Sequence, residues 1–267
     1  MTAASGVDVF YHFGMNLAAP DVPGDQPSPR YRRRRLRVLV TSLAALCCLG
    51  VAIVAGTAAR AELTSKPTSA ELSAAAALAV ASRWRSWPAG RIFPAEIGYT
   101  TNLLTQETAR RIGIAPRTAC PAGLDAVLRP LAARTDCVAV LRATYVDQLE
   151  GVVYTVGVLA FASGRSAERF VRGLPADRSG VVGLSALAFP GTASALFSDA
   201  ARQASTAQRQ GPYVVLTVSG YADGRPAAAT MEARGSVFAP ATQLASRIIG
   251  PLTVPAVVNC RSPQWSC

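Results

Sequence analysis

Histidine is all but missing from this 267-residue chain: His12 is the only one. Lysine is as scarce, with Lys66 alone among 27 basic residues. A Ser-His-Asp triad, a Cys-His pair and a His-ligated zinc all need an imidazole beside their partners, so the long stretch after Lys66 is expected to do without them. A Ser-Lys pair would fall on Lys66, yet no S-x-x-K occurs. G-x-S-x-G, G-x-G-x-x-G and phosphate-loop patterns are absent, as is the C-x-x-C spacing of a zinc site. Asp147 and Glu150 come nearest to a catalytic carboxylate pair, but a tight turn offers no cleft across which carboxylates about 5–10 Å apart could act on a sugar. The composition predicts no catalytic residue, no metal site and no cofactor.

What is present is arginine and a long apolar run. Val38 to Ala59 carry no charge over 22 residues, about 33 Å as a helix and close to the hydrocarbon thickness of a bilayer. Arg30, Arg32, Arg33, Arg34, Arg35 and Arg37 crowd its amino end, whereas Arg60 and Glu62 leave the other end near neutral. Basic residues resist translocation and sit against anionic headgroups. The reading is a signal-anchor helix over 36–60 beside a disordered cytoplasmic tail (1–35), a linker at 61–68 and an extracytoplasmic domain over 69–267. Ala59-Arg60-Ala61 has the outline of a cleavage site, but the apolar core exceeds the roughly 7–15 residues of a signal peptide. The same basic run lacks the interleaved aromatics of a nucleic-acid binder, so the lipid bilayer is its expected partner. Ala52 and Gly56 give the span a small-xxx-small face suited to pairing, a common motif.

Cysteine fits export. Cys47 and Cys48 fall in the span, and four remain outside: Cys120, Cys137, Cys260 and Cys267. An even set in an oxidising space points to disulfides. Three pairings are open, and nearest neighbours would join Cys120 to Cys137 and Cys260 to Cys267. From Arg60 onward, 21 basic residues face 13 acidic ones, a net charge of +8, which would draw the domain to anionic lipid or wall polymer unless these are ordinary solvated arginines.

After the linker ELTSKPTS, the pattern predicts a helix from Ser69 to Pro88, an extended piece at 92–99, a helix from Thr105 to Gly113 and a third at 124–134 broken at Pro130. CVAVLRATYV (137–146) and GVVYTVGVLAF (151–161) read as a hairpin, with Tyr145 opposite Tyr154. A helix follows over 163–174. The segments 194–210 and 212–222 repeat strand–strand, although DAARQASTAQRQ before Gly211 suits a helix as well, and a helix over much of 231–249 closes the unit. The expected fold class is α+β: an antiparallel four-stranded sheet built from two strand-strand-helix units, with helices packed on one face.

The stretches FPAEIGY, RATYVDQLEGVVYTVGVLAF and GPYVVLTVSGYADGR resemble those of uncharacterised actinobacterial single-pass membrane proteins. That resemblance implies an exported α+β domain and no assigned activity. Trp84 and Trp87 in SRWRSW, with Trp265 in CRSPQWSC, form a candidate recognition surface, although aromatics three apart on a helix commonly anchor it to its own core. The expected role is non-catalytic binding of an envelope protein partner, in a cell-envelope or export assembly. The alternatives are a small-ligand-sensing ectodomain and a histidine-free envelope hydrolase.

Overall fold

The computed structural model describes residues 29–64, 66–116, 118–175, 182–227, 236–259 and 265. The chain divides into two units between Lys66 and Pro67. The first contains a single long helix, α1 (Pro29–Thr64). Its stretch Arg32–Glu62 is long and apolar enough to cross a membrane, and its side chains are exposed throughout. Thr41 and Thr57 return their hydroxyls to the carbonyls of Arg37 and Val54, each at 2.9 Å. These two hydroxyls are thereby satisfied by the helix's own backbone.

The second unit opens with α2 (Ser69–Ser86). Its cap is Thr68, one residue before the expected Ser69. The Thr68 hydroxyl accepts the Glu71 N–H at 3.3 Å, and the Glu71 carboxylate accepts the Thr68 N–H at 2.7 Å, a reciprocal capping box. That backbone donor holds the Glu71 carboxyl below its usual range. Pro88 follows the C-cap Trp87, and a short helix, α3 (Ala89–Ile92), comes next.

Six strands, not four, make one antiparallel sheet. They are β1 (Glu96–Thr100), β2 (Gln106–Ile114), β3 (Cys137–Val146), β4 (Val152–Phe161), β5 (Arg202–Gln210) and β6 (Tyr213–Tyr221), in the order β1-β2-β3-β4-β6-β5. The additional pair comes from 96–114, where a helix from Thr105 was expected. QETARRIGI contains good helix formers but no apolar stripe at helical spacing, and a lone nine-residue helix gains little in water. As a strand it is paired on both sides, Ala109 against Ile97 and Arg111 against Tyr145.

The β3–β4 hairpin forms as read, with Tyr145 opposite Tyr154. Every residue of β4 is buried, because both faces of the sheet are covered, where helices on one face were expected. The alternation of period two separates two cores. On the first face Leu141, Tyr154, Val156 and Val215 meet Leu244 and Ile248 of α6 (Pro240–Thr253). On the second, Val140, Leu159 and Leu216 meet Leu131 of α4 (Arg129–Arg134), Phe170 of α5 (Gly164–Arg172) and two fully buried loop residues, Leu184 and Phe197. Gly157 belongs to that contact: a Cβ there would lie 2.5 Å from Leu184 Cδ1. Pro130 starts α4 instead of interrupting a longer helix, since a proline's missing N–H costs nothing in the first turn.

Three side-chain devices tie the layers together. The Arg202 guanidinium, with 5% of the side chain exposed, meets Asp125 at 3.2 Å and donates to the Leu184 carbonyl at 2.9 Å. Asp125 also accepts the N–H groups of Leu128 and Gly183. At the outer side of β1, Gln243 of α6 accepts the Thr100 N–H at 2.9 Å and donates to its carbonyl at 2.7 Å. Cys120 and Cys137 form a disulfide across a sequence separation of 17. The expected Cys260–Cys267 bridge lies outside the described residues.

Candidate functional site

Two turns at one end of the first face define the site. The β1–β2 turn, Thr101 to Thr105, is closed by the Leu104 N–H donating to the Thr101 carbonyl at 2.9 Å and by a 2.5 Å contact between the Thr101 and Thr105 hydroxyls. In the β3–β4 turn the Asp147 carboxylate accepts the Val152 N–H at 2.8 Å. Leu104 and Glu150 sit at φ 63° and 58°, left-handed geometry that few side chains other than glycine adopt cheaply. These tight turns throw their apolar residues outward: Leu103, Leu104 and Leu149 are 84–86% exposed.

Between the turns lies a cavity of about 330 Å³, within the range of small-molecule and side-chain pockets. Tyr99, Glu107, Asp147 and Tyr154 supply its polar groups, Leu103 and Leu149 stand at its margin, and Val237 and Pro240 lead into α6 on the remaining side. The Tyr99 hydroxyl donates to Glu107 Oε2 at 2.6 Å. Burial pushes the Tyr99 and Tyr154 phenols well above their ordinary range, and the nearby Glu107 and Asp147 charges push them the same way.

The four buried tyrosines differ in one respect. Tyr145 donates to the Pro94 carbonyl at 2.9 Å and Tyr213 to the Val80 carbonyl at 2.7 Å, while Tyr99 has Glu107. Tyr154, 1% exposed, has no hydrogen-bond partner for its hydroxyl among the described residues. Among the described residues, the buried side-chain oxygens without a partner are those of Thr118, Thr206, Thr217 and Ser219. The Tyr154 oxygen is not one of them, so it opens into the pocket, where water or a ligand can supply the bond.

No protein-family model matches the chain, and no curated protein or solved structure does either. Function therefore rests on this geometry.

The residues singled out from the sequence lie elsewhere. Trp84 and Trp87 are partly buried against the first core. Trp87 lies under the Arg91 guanidinium at 3.7 Å, with Arg83 at 5.1 Å, and Arg83 donates to the carbonyls of Leu252 and Val254 at the end of α6. Trp265 is half-buried. The three tryptophans line no part of the pocket. Arg32 to Arg35 and Arg37 are exposed along the first turns of α1. Asp147 is a pocket residue, whereas its expected companion Glu150 pairs with Arg110. Glu107, the carboxylate that does share the pocket with Asp147, is 40 residues earlier in the chain, in the segment whose composition predicts a helix. Among the described residues no group of three or more His, Cys, Asp or Glu could hold a metal.

Proposed function

We propose that this is a single-pass membrane protein whose outer domain binds an envelope protein partner through the paired turn tips, without catalysis of its own. The observation that carries the reading is the trio Leu103, Leu104 and Leu149, three large apolar side chains fully presented to solvent on adjacent turns. Exposed apolar groups gathered beside a polar pocket mark interaction sites more often than ordinary surface. Glu107 and Asp147 each already hold a local hydrogen bond, to Tyr99 and to the Val152 N–H, which suits recognition.

The arginines at the amino end of α1 support an inside position for that end. The Cys120–Cys137 disulfide supports an oxidising space for the domain.

Photo-crosslinking in native membranes tests the partner. A photoreactive residue at position 103 or 149 should join the same protein, and Leu104→Ser should suppress both adducts. A probe at Leu78, 71% exposed on α2, should leave that protein unlabelled. Tips that give no adduct, or the same adducts as Leu78, end the proposal.

A further inference from the structure

We infer that the Tyr99–Tyr154 pocket receives an arginine or lysine side chain of the partner polypeptide, whose apolar neighbours rest on Leu103 and Leu149. This rests on the partner reading above and specifies its chemistry.

The charges make the first argument. The chain beyond the span carries a net +8, with 21 basic residues for 13 acidic, so carboxylates there find arginine readily. Asp125, Asp136, Glu150, Glu168, Asp199 and Asp223 all have an arginine nitrogen no farther than 3.8 Å. Four described carboxylates of the domain have none: Glu71, which is held by Thr68, Glu96, which is exposed on the edge strand, and Glu107 and Asp147, which alone of the four share a pocket. Two carboxylates lining one pocket without a cation, in a domain rich in cations, are complementary to one that arrives from outside.

The tyrosines make the second, independent argument. Tyr154 is buried as a residue, but its hydroxyl opens into the pocket with no protein partner among the described residues, while the other three buried phenols have theirs. A phenolic oxygen accepts an N–H, and tyrosine rings attract a guanidinium or ammonium by their faces. A cation entering between Glu107 and Asp147 would satisfy the Tyr154 hydroxyl.

The leucines argue for a polypeptide over a free amine. A lone amine would leave three exposed leucines with nothing to cover them. A basic anchor flanked by apolar residues would fill the pocket and dry its margin, the arrangement in which a few central contacts dominate an interface.

The test uses the full chain in phosphatidylcholine nanodiscs, a zwitterionic surface that does not compete for cations, with ¹³C-labelled leucine methyls read by NMR. The probes are the acetylated, amidated tripeptide Leu-Arg-Leu, its citrulline counterpart of equal shape and no charge, and N-acetyl-arginine amide. The arginine tripeptide should shift the Leu103 and Leu149 methyls saturably and bind about tenfold more tightly than the citrulline form, the order of a partly desolvated charge pair. Glu107→Gln with Asp147→Asn, both still able to accept their local hydrogen bonds, should abolish that preference while the Leu184 and Leu244 methyls stay in place.

Equal affinity for the two tripeptides, or a preference that survives the double variant, overturns the inference. So does arginine amide binding as tightly as the tripeptide, which would assign the pocket to a small amine. If the tripeptides are indistinguishable but the crosslinks from positions 103 and 149 persist, the pocket inference fails and the partner reading stands. Loss of those crosslinks ends both.

Discussion

Replacing Asp125 with alanine should cost about 3 kcal/mol of folding stability, the lower end of the range for breaking a buried ion pair from one side. The carboxylate accepts the Leu128 N–H at 3.1 Å, the Gly183 N–H, and Arg202 Nη1 at 3.2 Å. Alanine leaves the Gly183 N–H bare, removes one of the two acceptors of the Leu128 N–H (the Asp125 carbonyl at 3.2 Å remains), and strands a guanidinium with 5% exposure. Hydrogen bonds to charged groups are worth about 1.5–3 kcal/mol each, and three on one oxygen pair do not add in full. Arg202 keeps the carbonyls of Leu184 and Asp199 and lies 3.8 Å from the half-exposed Asp199 carboxylate, which holds the loss near the low end.

The assay is a urea titration of the full chain in micelles, following the fluorescence of Trp84 and Trp87 in the first core. Asp125→Ala should lower the midpoint at unchanged slope. Asp125→Ala with Arg202→Met should recover most of the loss, because no unpaired charge then remains buried. A loss under about 1 kcal/mol for Asp125→Ala, or a double variant no better than the single, would refute the claim that this pair clamps the loop carrying Leu184 to the second face.

Three further outcomes follow from described features. Replacing Cys120 and Cys137 together with alanine should cost about 3 kcal/mol, the loop-closure value for this separation, and thiol trapping without reductant should find neither cysteine free. Tyr99, Tyr145, Tyr154 and Tyr213 all have folded-state pKa values raised above the ordinary phenol, by burial first. The neutral phenol is the stabilised form, so this contribution is complete below about pH 10 and is lost as pH rises beyond it. Absorbance at phenolate wavelengths should therefore lag in the native protein and jump on alkaline unfolding, and a titration identical to that in urea would contradict the burial. In intact cells, an impermeant thiol reagent should label a cysteine placed just after Glu62 and miss one placed before Arg30. The reverse pattern would invert the proposed orientation.

The parts of the fold that a sequence announces are those where local preference and final environment agree. CVAVLRATYV and GVVYTVGVLAF are β-branched and apolar, and the short polar turn between them leaves one economical arrangement. The helix expected over 163–174 is equally plain, and α5 fills Gly164–Arg172 of it. QETARRIGI was misread because glutamate, alanine and arginine favour helix locally, while its stability comes from pairing with strands on either side, which no local pattern expresses. The coverage of the second face was hidden for a related reason. Leu184 and Phe197 are fully buried from irregular backbone, where no period of 2 or 3.6 exists to mark them. Half of the site was therefore legible: Asp147 drew notice as a turn carboxylate. Glu107 lies in the segment expected to be helical, and Leu103 and Leu104, which precede that segment and sit in the β1–β2 turn, carry the functional reading with Leu149.

The amide of Gln243 imitates a neighbouring strand, answering both the donor and the acceptor of Thr100. A foreign peptide seeking to extend the sheet by main-chain zippering alongside β1 would first have to evict it. At that position the edge of the sheet is closed to main-chain pairing by one amide side chain.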